Sequence, residues 1–466
     1  MKHTRRSILK GCIAVQAAGL AGCNGRSPQT ETVETTDRDR TPPATEETES
    51  QLERIASRWG FEDVLDLSSV GADPTGGSSI HGLLAEHLGP DTLVYLPPGE
   101  FRLSDTVTVS DVDRVGIVGP EASIMPDEGN TEQLLMFGWP DPVGTALCIG
   151  VDFDYLADNT GGRPILARAS DSVLLESVSV TGEADVDEDL IRVDVLNPSG
   201  RGIVRDLQML DGAPADTRVT GCQVGDNRGD LWFVDCRIDG FPDNGLYADP
   251  PEGSVHVIGG RYRNNGVANV RIETSDRAVV RGVHVRCDDA TGGGANMRGI
   301  RLRAGESILV EDCFVELLEV TTSDGAIVFS SELSSATVRN CRIRVDADGV
   351  NAIRLKSAAD ERHIDGPFTC EGVSIEGQAS GGAVVQAANR SGVSFSDLCI
   401  RQMGTDRDGF KLQNIVGEVR DTSISVTGIP FDLEGSTLER QNVTVGSPSD
   451  NGTTADFHCV RDEDTD

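Results

Sequence analysis

The sequence predicts an all-β protein built as a single-stranded, right-handed parallel β-helix, a solenoid of roughly 12 coils. Two repeated patterns support this fold class: a six-residue motif that recurs along the chain, and a second short alternating segment between its copies. A third observation is that helical periodicity of useful length is missing after about residue 90. Together they favour a repeating β architecture over two or three ordinary globular domains.

The six-residue motif consists of an apolar residue, two variable residues, a cysteine or apolar residue, any residue and a final apolar residue. Successive copies start roughly 21 to 36 residues apart, which is the period of a solenoid coil. Clear copies start at Val204, Phe233, Val280, Val310, Val338, Phe395 and Val419.

Two positions of the motif carry structural information. The third is nearly always Asp, Asn or Gly, and these residues tolerate left-handed backbone, so we expect a bend there. The fourth should then face inward and stack from coil to coil, as in Cys236, Cys313 and Cys341. We therefore expect the cysteines to be buried free thiols that act as small apolar residues.

Between the motif copies lie short segments in which apolar and polar residues alternate, the pattern of a strand with one buried face. Each coil should therefore contribute at least two parallel strands. The segments are centred on Tyr247, Arg271, Arg301, Val328, Arg354, Lys411 and Asp432.

In these repeats the chain resembles the pectin-lyase-like family of right-handed parallel β-helices over residues 64–447. Gly71-Ala72-Asp73-Pro74-Thr75-Gly76 and the later stretch Val94-Tyr-Leu-Pro-Pro-Gly-Glu-Phe-Arg-Leu103 are similar to the capping segment of many such proteins. The resemblance implies an N-terminal cap over residues 52–111 and coils over 112–447. Lyases, hydrolases, epimerases and adhesins share this scaffold, so the fold does not choose an activity.

Both ends of the chain have the composition of non-core segments. Residues 1–23 have an arginine pair before a short apolar run; Thr4-Arg-Arg-Ser-Ile-Leu9 resembles a twin-arginine signal, and Leu20-Ala-Gly-Cys23 resembles a lipobox. We expect lipidation of Cys23 and a place on the extracellular face of the cell membrane, which the protein contacts through the lipid anchor only. Residues 24–51 are predicted to be a disordered acidic tether and 448–466 a disordered acidic tail.

The formal net charge is −35, from 76 acidic against 41 basic residues, so we expect no nucleic-acid partner. Lysine occurs only at positions 2, 10, 356 and 411, and arginine carries nearly all other positive charge. This pattern resembles proteins of halophilic archaea and indicates habitat rather than activity.

The outward residues of the alternating segments should form two columns along the solenoid axis. The first is predicted to contain Tyr247, Arg271, Arg301, Val328, Arg354, Lys411 and Asp432, and the second Asp249, Glu273, Arg303, Ser330, Lys356, Gln413 and Glu434. In the family that the chain resembles, long polysaccharides lie in the groove over the corresponding sheet. Six cationic side chains in two columns would suit the carboxylates of a uronate-containing polysaccharide.

The columns suggest a site for β-elimination, which needs a base beside the uronate carboxylate and cations for the enolate. The candidate catalytic residues are Lys356, Arg354, Arg303 and Arg301; the candidate substrate-binding residues are Arg271, Lys411 and Tyr247; Asp249, Glu273 and Asp243 could hold Ca²⁺.

Other interpretations stay open at this stage. The outer face of any β-helix must be polar, so the same arginines could simply be solvated and paired, and the protein could be a non-catalytic adhesin or glycan-binding solenoid. A glycoside hydrolase is less favoured, because no facing carboxylate pair is apparent. The loop Phe137-Gly-Trp-Pro-Asp141 places aromatic residues beside Gly and Asp, as carbohydrate sites often do, although such loops also cap solenoids. The oligomeric state is not predicted.

Overall fold

The structure, a computed structural model, describes residues 46–129, 133–184, 189–291 and 294–446. The predicted signal, Cys23 and the predicted tail from 448 lie outside the described residues. So does most of the predicted tether, but helix α1 already begins at Glu46, before the expected start of the folded part at residue 52. Among the described residues, no helix is long and apolar enough to cross a membrane.

The described chain is almost entirely β-structure, with 7% helix. The helices are α1 (Glu46–Trp59), a 3₁₀ turn at Leu67–Val70, α2 (His81–His87) and a 3₁₀ turn at Glu361–His363. The strands are β1 (Asp63–Asp66), β2 (Thr75–Ser79), β3 (Thr92–Tyr95), β4 (Gly99–Leu103), β5 (Val107–Val109), β6 (Arg114–Pro126), β7 (Gln133–Phe137), β8 (Val143–Asp154), β9 (Arg163–Glu176), β10 (Ser179–Thr181), β11 (Ile191–Val195), β12 (Arg201–Arg205), β13 (Gln208–Met209), β14 (Cys222–Val224), β15 (Asp230–Val234), β16 (Arg237–Asp239), β17 (Asn244–Ala248), β18 (Ser254–Ile258), β19 (Arg261–Arg263), β20 (Ala268–Glu273), β21 (Arg277–Arg281), β22 (His284–Asp288), β23 (Arg298–Gly305), β24 (Ser307–Glu311), β25 (Phe314–Glu319), β26 (Ile327–Leu333), β27 (Ala336–Arg339), β28 (Arg342–Val345), β29 (Ile353–Leu355), β30 (Asp365–Glu371), β31 (Ser374–Gly377), β32 (Ala383–Ser396), β33 (Cys399–Gln402), β34 (Asp408–Ser425), β35 (Phe431–Glu434) and β36 (Thr437–Gly446).

Three strands make one coil, and each pairs in parallel with the strand three places further along. Thus β17 pairs with β20, β18 with β21 and β19 with β22. Repetition of this rule gives a parallel β-solenoid of about 13 turns, one more than the sequence predicts.

The stacked strands form three sheets along the solenoid. Sheet 1 contains β1, β3, β12, β15, β18, β21, β24, β27 and β30; sheet 2 contains β2, β4, β10, β13, β16, β19, β22, β25, β28, β31 and β33; sheet 3 contains β5, β7, β11, β14, β17, β20, β23, β26, β29 and β35. The long strands β6, β8, β9, β32, β34 and β36 each pass through more than one sheet.

The bend predicted at the third motif position is confirmed, and it forms the corner between sheets 1 and 2. The third motif positions of the seven clear copies, and of two weaker copies that start at Val257 and Cys370, all have φ between 47° and 65°: Asp206, Asp235, Gly259, Gly282, Asp312, Asn340, Gly372, Asp397 and Asp421. Only glycine and short Asx side chains enter this left-handed region at low cost, which explains the restriction seen in the sequence.

The fourth motif position is also confirmed as an inward ladder. Cys236, Cys313 and Cys341 are free thiols, and each is at most 2% exposed in a core of Val, Ile and Leu. Burial raises the pKa of Cys236 to about 12, as expected for an inert apolar thiol. The free-thiol expectation is wrong at Cys399, at the fifth motif position, because this cysteine is disulfide-bonded.

Helix α1 covers part of the outer face of sheet 1. Its Leu52 and Ala56 pack with Tyr95, Leu147 and Leu174 of that sheet. The strands β1 to β5 of the predicted capping segment pair with one another and with the first coils, and their closure of the solenoid end stays a prediction.

Candidate functional site

The predicted first column on the outer face of sheet 3 is in register. Tyr247 pairs with Arg271, Arg271 with Arg301, and Arg301 with Val328. Val328 pairs in turn with Arg354. Neighbouring strands lie about 4.8 Å apart, so this central column holds its side chains at a regular spacing along the axis.

The central column is longer than the sequence indicates. Gln386 lies between Arg354 and Lys411, and Lys411 pairs with Asp432. Towards the N terminus, Arg192 and Gln223 continue the column beyond Tyr247. Gln386 was missed because its strand, Ala383-Val-Val-Gln-Ala-Ala388, alternates too weakly to mark an outward position.

The predicted second column is wrong as a continuous row. A bulge after Ile272 pairs Glu273 with Ala304 instead of Arg303, and a second bulge pairs Ala304 with Glu332. A β-bulge places two residues opposite one and re-aims the side chains that follow. Arg303 therefore turns to Glu332, with which it forms an ion pair.

Lys356, which follows β29, lies beside a carboxylate that the sequence reasoning missed. Its Nζ is 2.5 Å from Oδ2 of Asp324, and Nη2 of Arg298 is 2.6 Å from the same oxygen. Asn296 donates a further hydrogen bond to Asp324 at 3.0 Å. Burial raises the pKa of Asp324, but the hydrogen bonds from Lys356, Asn296 and Arg298 outweigh it and hold the pKa well below its ordinary range.

Asp324 lies in the turn before β26, outside the alternating strands on which the predicted columns depend. No local sequence signal marks it, because its role comes from contacts with residues some 26 to 32 positions away, at Arg298 and Lys356.

The neighbouring arginines are not neutralised in the same way. Burial, followed by the charges of Arg298, Arg271 and Arg303, lowers the pKa of Arg301 to about 10. Burial also lowers the pKa of Arg354. Both guanidinium groups stay protonated at neutral pH, so these shifts indicate positive charge that is partly desolvated and short of counter-charge.

Unused hydrogen-bond donors accompany this charge. Nη1 of Arg354 and Nε of Arg271 are buried and have no hydrogen-bond partner among the residues that the structure describes. Arg301 donates from Nε to the Ser330 hydroxyl at 3.2 Å. A buried donor without a partner costs free energy, so these two atoms add to the weak neutralisation of the arginines here. We call Arg271, Arg298, Arg301, Arg354 and Lys356 the cationic cluster.

A buried arginine supports the edge of the cationic cluster. Arg390 is 2% exposed and donates to the carbonyl oxygens of Ser330, Leu333 and Lys356 at 2.8–2.9 Å, and to those of Ser331 and His363. These bonds fix both the bulged strand β26 and the chain at Lys356. Burial lowers the pKa of Arg390 to about 10.

Tyr247 supports Arg271 from the next rung, since the guanidinium carbon lies 3.9 Å from the centre of its ring. Arg271 also contacts Glu273 at 3.3 Å. Burial raises the pKa of Asp249, an effect that its hydrogen bond with Tyr247 opposes. Burial likewise raises the pKa of Asp243, which accepts a hydrogen bond from Asn244.

The proposed calcium ligands do not fit a metal ion. Within the described ranges, no group of three or more His, Cys, Asp or Glu side chains is placed to hold one. Glu273 is already paired with Arg271, whose positive charge opposes binding of a cation at this carboxylate. Asp243, Asp249 and Glu273 therefore do not form a calcium site in this arrangement.

Three stacked parallel sheets with a left-handed corner residue in successive coils decide the fold. The chain has the pectin-lyase-like parallel β-helix fold. No family model matches this β-helix, and no curated protein matches it either.

Solved structures similar to this β-helix include the surface adhesin PfbA of Streptococcus pneumoniae, at 10% identity and a TM-score of 0.42, covering 84% of this chain and 93% of that one. The A-module of mannuronan C-5 epimerase AlgE6 of Azotobacter vinelandii is similar at 15% identity and a TM-score of 0.39, and the match covers 82% of this chain and 100% of that one. The family 28 exopolygalacturonase of Yersinia enterocolitica is similar at 10% identity and a TM-score of 0.37, and the match covers 82% of this chain and 78% of that one. Similarities of this size assign no activity to the chain.

Proposed function

We propose that the cationic cluster binds the carboxylates of an acidic, uronate-containing polysaccharide laid along sheet 3. The observation that carries this proposal is the pair Arg301 and Arg354, which are partly buried, have lowered pKa values and lie two rungs apart in one column. A carboxylate ligand would supply the missing counter-charge to both guanidinium groups.

The shape of the surface favours an extended ligand over a small anion. The central column runs from Arg271 to Lys411 over five rungs, or roughly 24 Å. Cations recur along this length at Arg301 and Arg354, so a ligand with repeating negative charges would satisfy more than one of them. The net charge of −35 opposes non-specific binding of polyanions, which restricts attraction to this local surface.

Cleavage by β-elimination is the finer part of the proposal. A base would remove the proton on the carbon beside the uronate carboxylate, and the remaining cations would stabilise the enolate. The enolate electrons would then form a double bond to the next carbon, whose bond to the glycosidic oxygen breaks, and that oxygen would leave with a proton from solvent. Arg301 and Arg354 are favoured as the base over Lys356 and Arg303, because the latter two contact the carboxylates of Asp324 and Glu332. Arg301, with its pKa lowered to about 10, would act as the base through the small fraction of molecules in which it is deprotonated, and this fraction increases as the pH is raised.

A binding solenoid without catalysis is the second candidate. It is favoured by the ion pairs of Lys356 and Arg303, which leave neither group free to accept a proton. In both cases we propose that the protein is exported and held at the cell surface by a lipid on Cys23.

The experiment measures binding of polygalacturonate, alginate and hyaluronan, with neutral dextran as control, to the wild-type protein and to Arg301→Gln and Arg354→Gln. Arg342→Gln is the matched control, since this arginine lies on sheet 2 with its side chain 69% exposed. We expect the sheet 3 variants to lose affinity for an acidic polymer and the control to keep it. Equal affinity in all four proteins would contradict the proposal.

The same samples separate the two candidates. Absorbance of an unsaturated product that appears with wild type and disappears with Arg301→Gln would establish elimination. Binding without any product from every acidic polymer would establish the non-catalytic solenoid.

A further inference from the structure

Trp139 is a large aromatic side chain in the turn that follows strand β7 of sheet 3, outside the cationic cluster. It follows strand β7 and is 50% exposed. An exposed indole ring offers a large, flat apolar surface with a polar N–H at its edge, which suits contact with a ligand that is apolar on one face.

The ring is held in place by the strand beneath it. The guanidinium of Arg168 lies 5.6 Å from the ring centre, and its Nη1 donates to the carbonyl of Pro140 at 3.3 Å. Gly138 lies so close to this strand that a Cβ atom would meet the carbonyl oxygen of Arg168 at 1.9 Å. Trp139 is therefore fixed before any ligand arrives, and binding to it costs little conformational entropy.

Charged residues connect Trp139 with the central column. Arg168 contacts Asp226 at 3.6 Å, and Asp226 contacts Arg192 of the central column at 3.1 Å. Arg192 also pairs with the fully buried Asp194 at 2.9 Å. Two arginines thus face two carboxylates, so these four groups offer no excess charge, and the exposed ring is the feature left for contact with a ligand.

We propose that Trp139 is a stacking platform for a pyranose ring of the polysaccharide that the cationic cluster binds. This inference rests on the proposed function. The polarised C–H groups on one face of a pyranose match the electron-rich face of an indole ring, and the sugar's apolar face buries the exposed surface. Trp139 lies five rungs from Arg271, roughly 24 Å, so only a chain of several sugars reaches both.

The test compares Trp139→Ala and Trp139→Phe with wild type, using the acidic polymer found to bind and the disaccharide cut from it. We expect Trp139→Ala to weaken polymer binding roughly tenfold and Trp139→Phe to keep most of the affinity. Disaccharide binding should be the same in all three proteins, because a disaccharide at the cationic cluster is too short to reach Trp139.

Three results would overturn the platform. Unchanged polymer affinity in Trp139→Ala would do so while leaving the proposed function intact, provided that Arg354→Gln still loses binding. Equal losses for polymer and disaccharide in Trp139→Ala would indicate a general disturbance of the fold. Absence of any polymer binding by wild type would refute both the platform and the function on which it rests.

Discussion

Sheets 2 and 3 both present arginines to solvent, but they neutralise them differently. On sheet 2, the carboxylate of Asp288 forms ion pairs with Arg263 at 2.7 Å and with Arg286 at 2.8 Å. Arg286 also forms an ion pair with Glu316 at 2.9 Å. On sheet 3, Arg301 has a hydroxyl partner and Arg354 a buried donor without a partner among the described residues.

The pKa values of these arginines shift in opposite directions on the two sheets. Hydrogen bonds to Asp288 raise the pKa of Arg263 and of Arg286, whereas burial among like charges lowers that of Arg301. The comparison teaches that an outward arginine is structural where a carboxylate pairs with it, as at Arg303 on sheet 3. It is a candidate for ligand binding where no carboxylate does so, as at Arg301 and Arg354.

The largest expected effect comes from removing the buried support of sheet 3. Arg390→Met should lower the free energy of unfolding by about 3–5 kcal/mol, because several backbone carbonyls lose their donor. Denaturant unfolding measures this. Arg342→Met on sheet 2 is the control, and an Arg390→Met protein as stable as the control would show that the carbonyl contacts are unimportant.

Next in size is the effect of Arg354→Gln on binding. Acidic polymer affinity should fall roughly 10- to 100-fold, since a charged hydrogen-bond donor is lost. The stability should stay unchanged or rise, because a partly buried charge short of partners is removed. Calorimetric titration and denaturant unfolding of the same samples measure both quantities; a large loss of stability would place Arg354 with the structural arginines.

Arg286→Gln on sheet 2 should show the opposite pattern. Unfolding free energy should fall by about 1 kcal/mol, a small value because the side chain is 34% exposed and solvent screens the pair. Polymer affinity should stay at the wild-type value in the same titration. A loss of affinity equal to that of Arg354→Gln would erase the distinction between the two sheets.

The smallest expected effect is a dependence on acid. Burial raises the pKa of Asp288, but hydrogen bonds from Arg263 and Arg286 outweigh it and leave the pKa well below the ordinary 3.8. A carboxyl group with a lowered folded pKa contributes stability above its unfolded pKa, and this contribution is lost as the pH falls below about 4. Asp288→Asn should therefore lower stability at neutral pH and flatten the loss between pH 4 and pH 2. An identical acid profile would show that Asp288 is not held ionised by these arginines.

The sequence predicts the coil well because its signals are local. The left-handed corner at Asp235 or Asp312 and the inward position of Cys313 each depend on a few neighbouring residues. The central column also follows from alternation within single strands, which is why Arg271 and Arg301 were placed correctly.

The site is harder to predict because it depends on register between coils. The bulge after Ile272 moves Arg303 out of line, and nothing in the strand marks it. Asp324 enters the cluster from a turn, so its contact with Lys356 is invisible to a pattern based on alternation. The pairing state that distinguishes Arg301 from Arg286 likewise exists only after the coils are stacked.

The central claim is that sheet 3 binds carboxylates through charge that the protein itself leaves unneutralised. The most direct measurement is a calorimetric titration of the wild-type protein with an acidic polysaccharide and with the same polysaccharide after reduction of its carboxylates to alcohols, at equal salt. The account predicts binding of the native polymer and none of the reduced one. Equal affinity for both would contradict it, because the cationic cluster would then have no part in recognition.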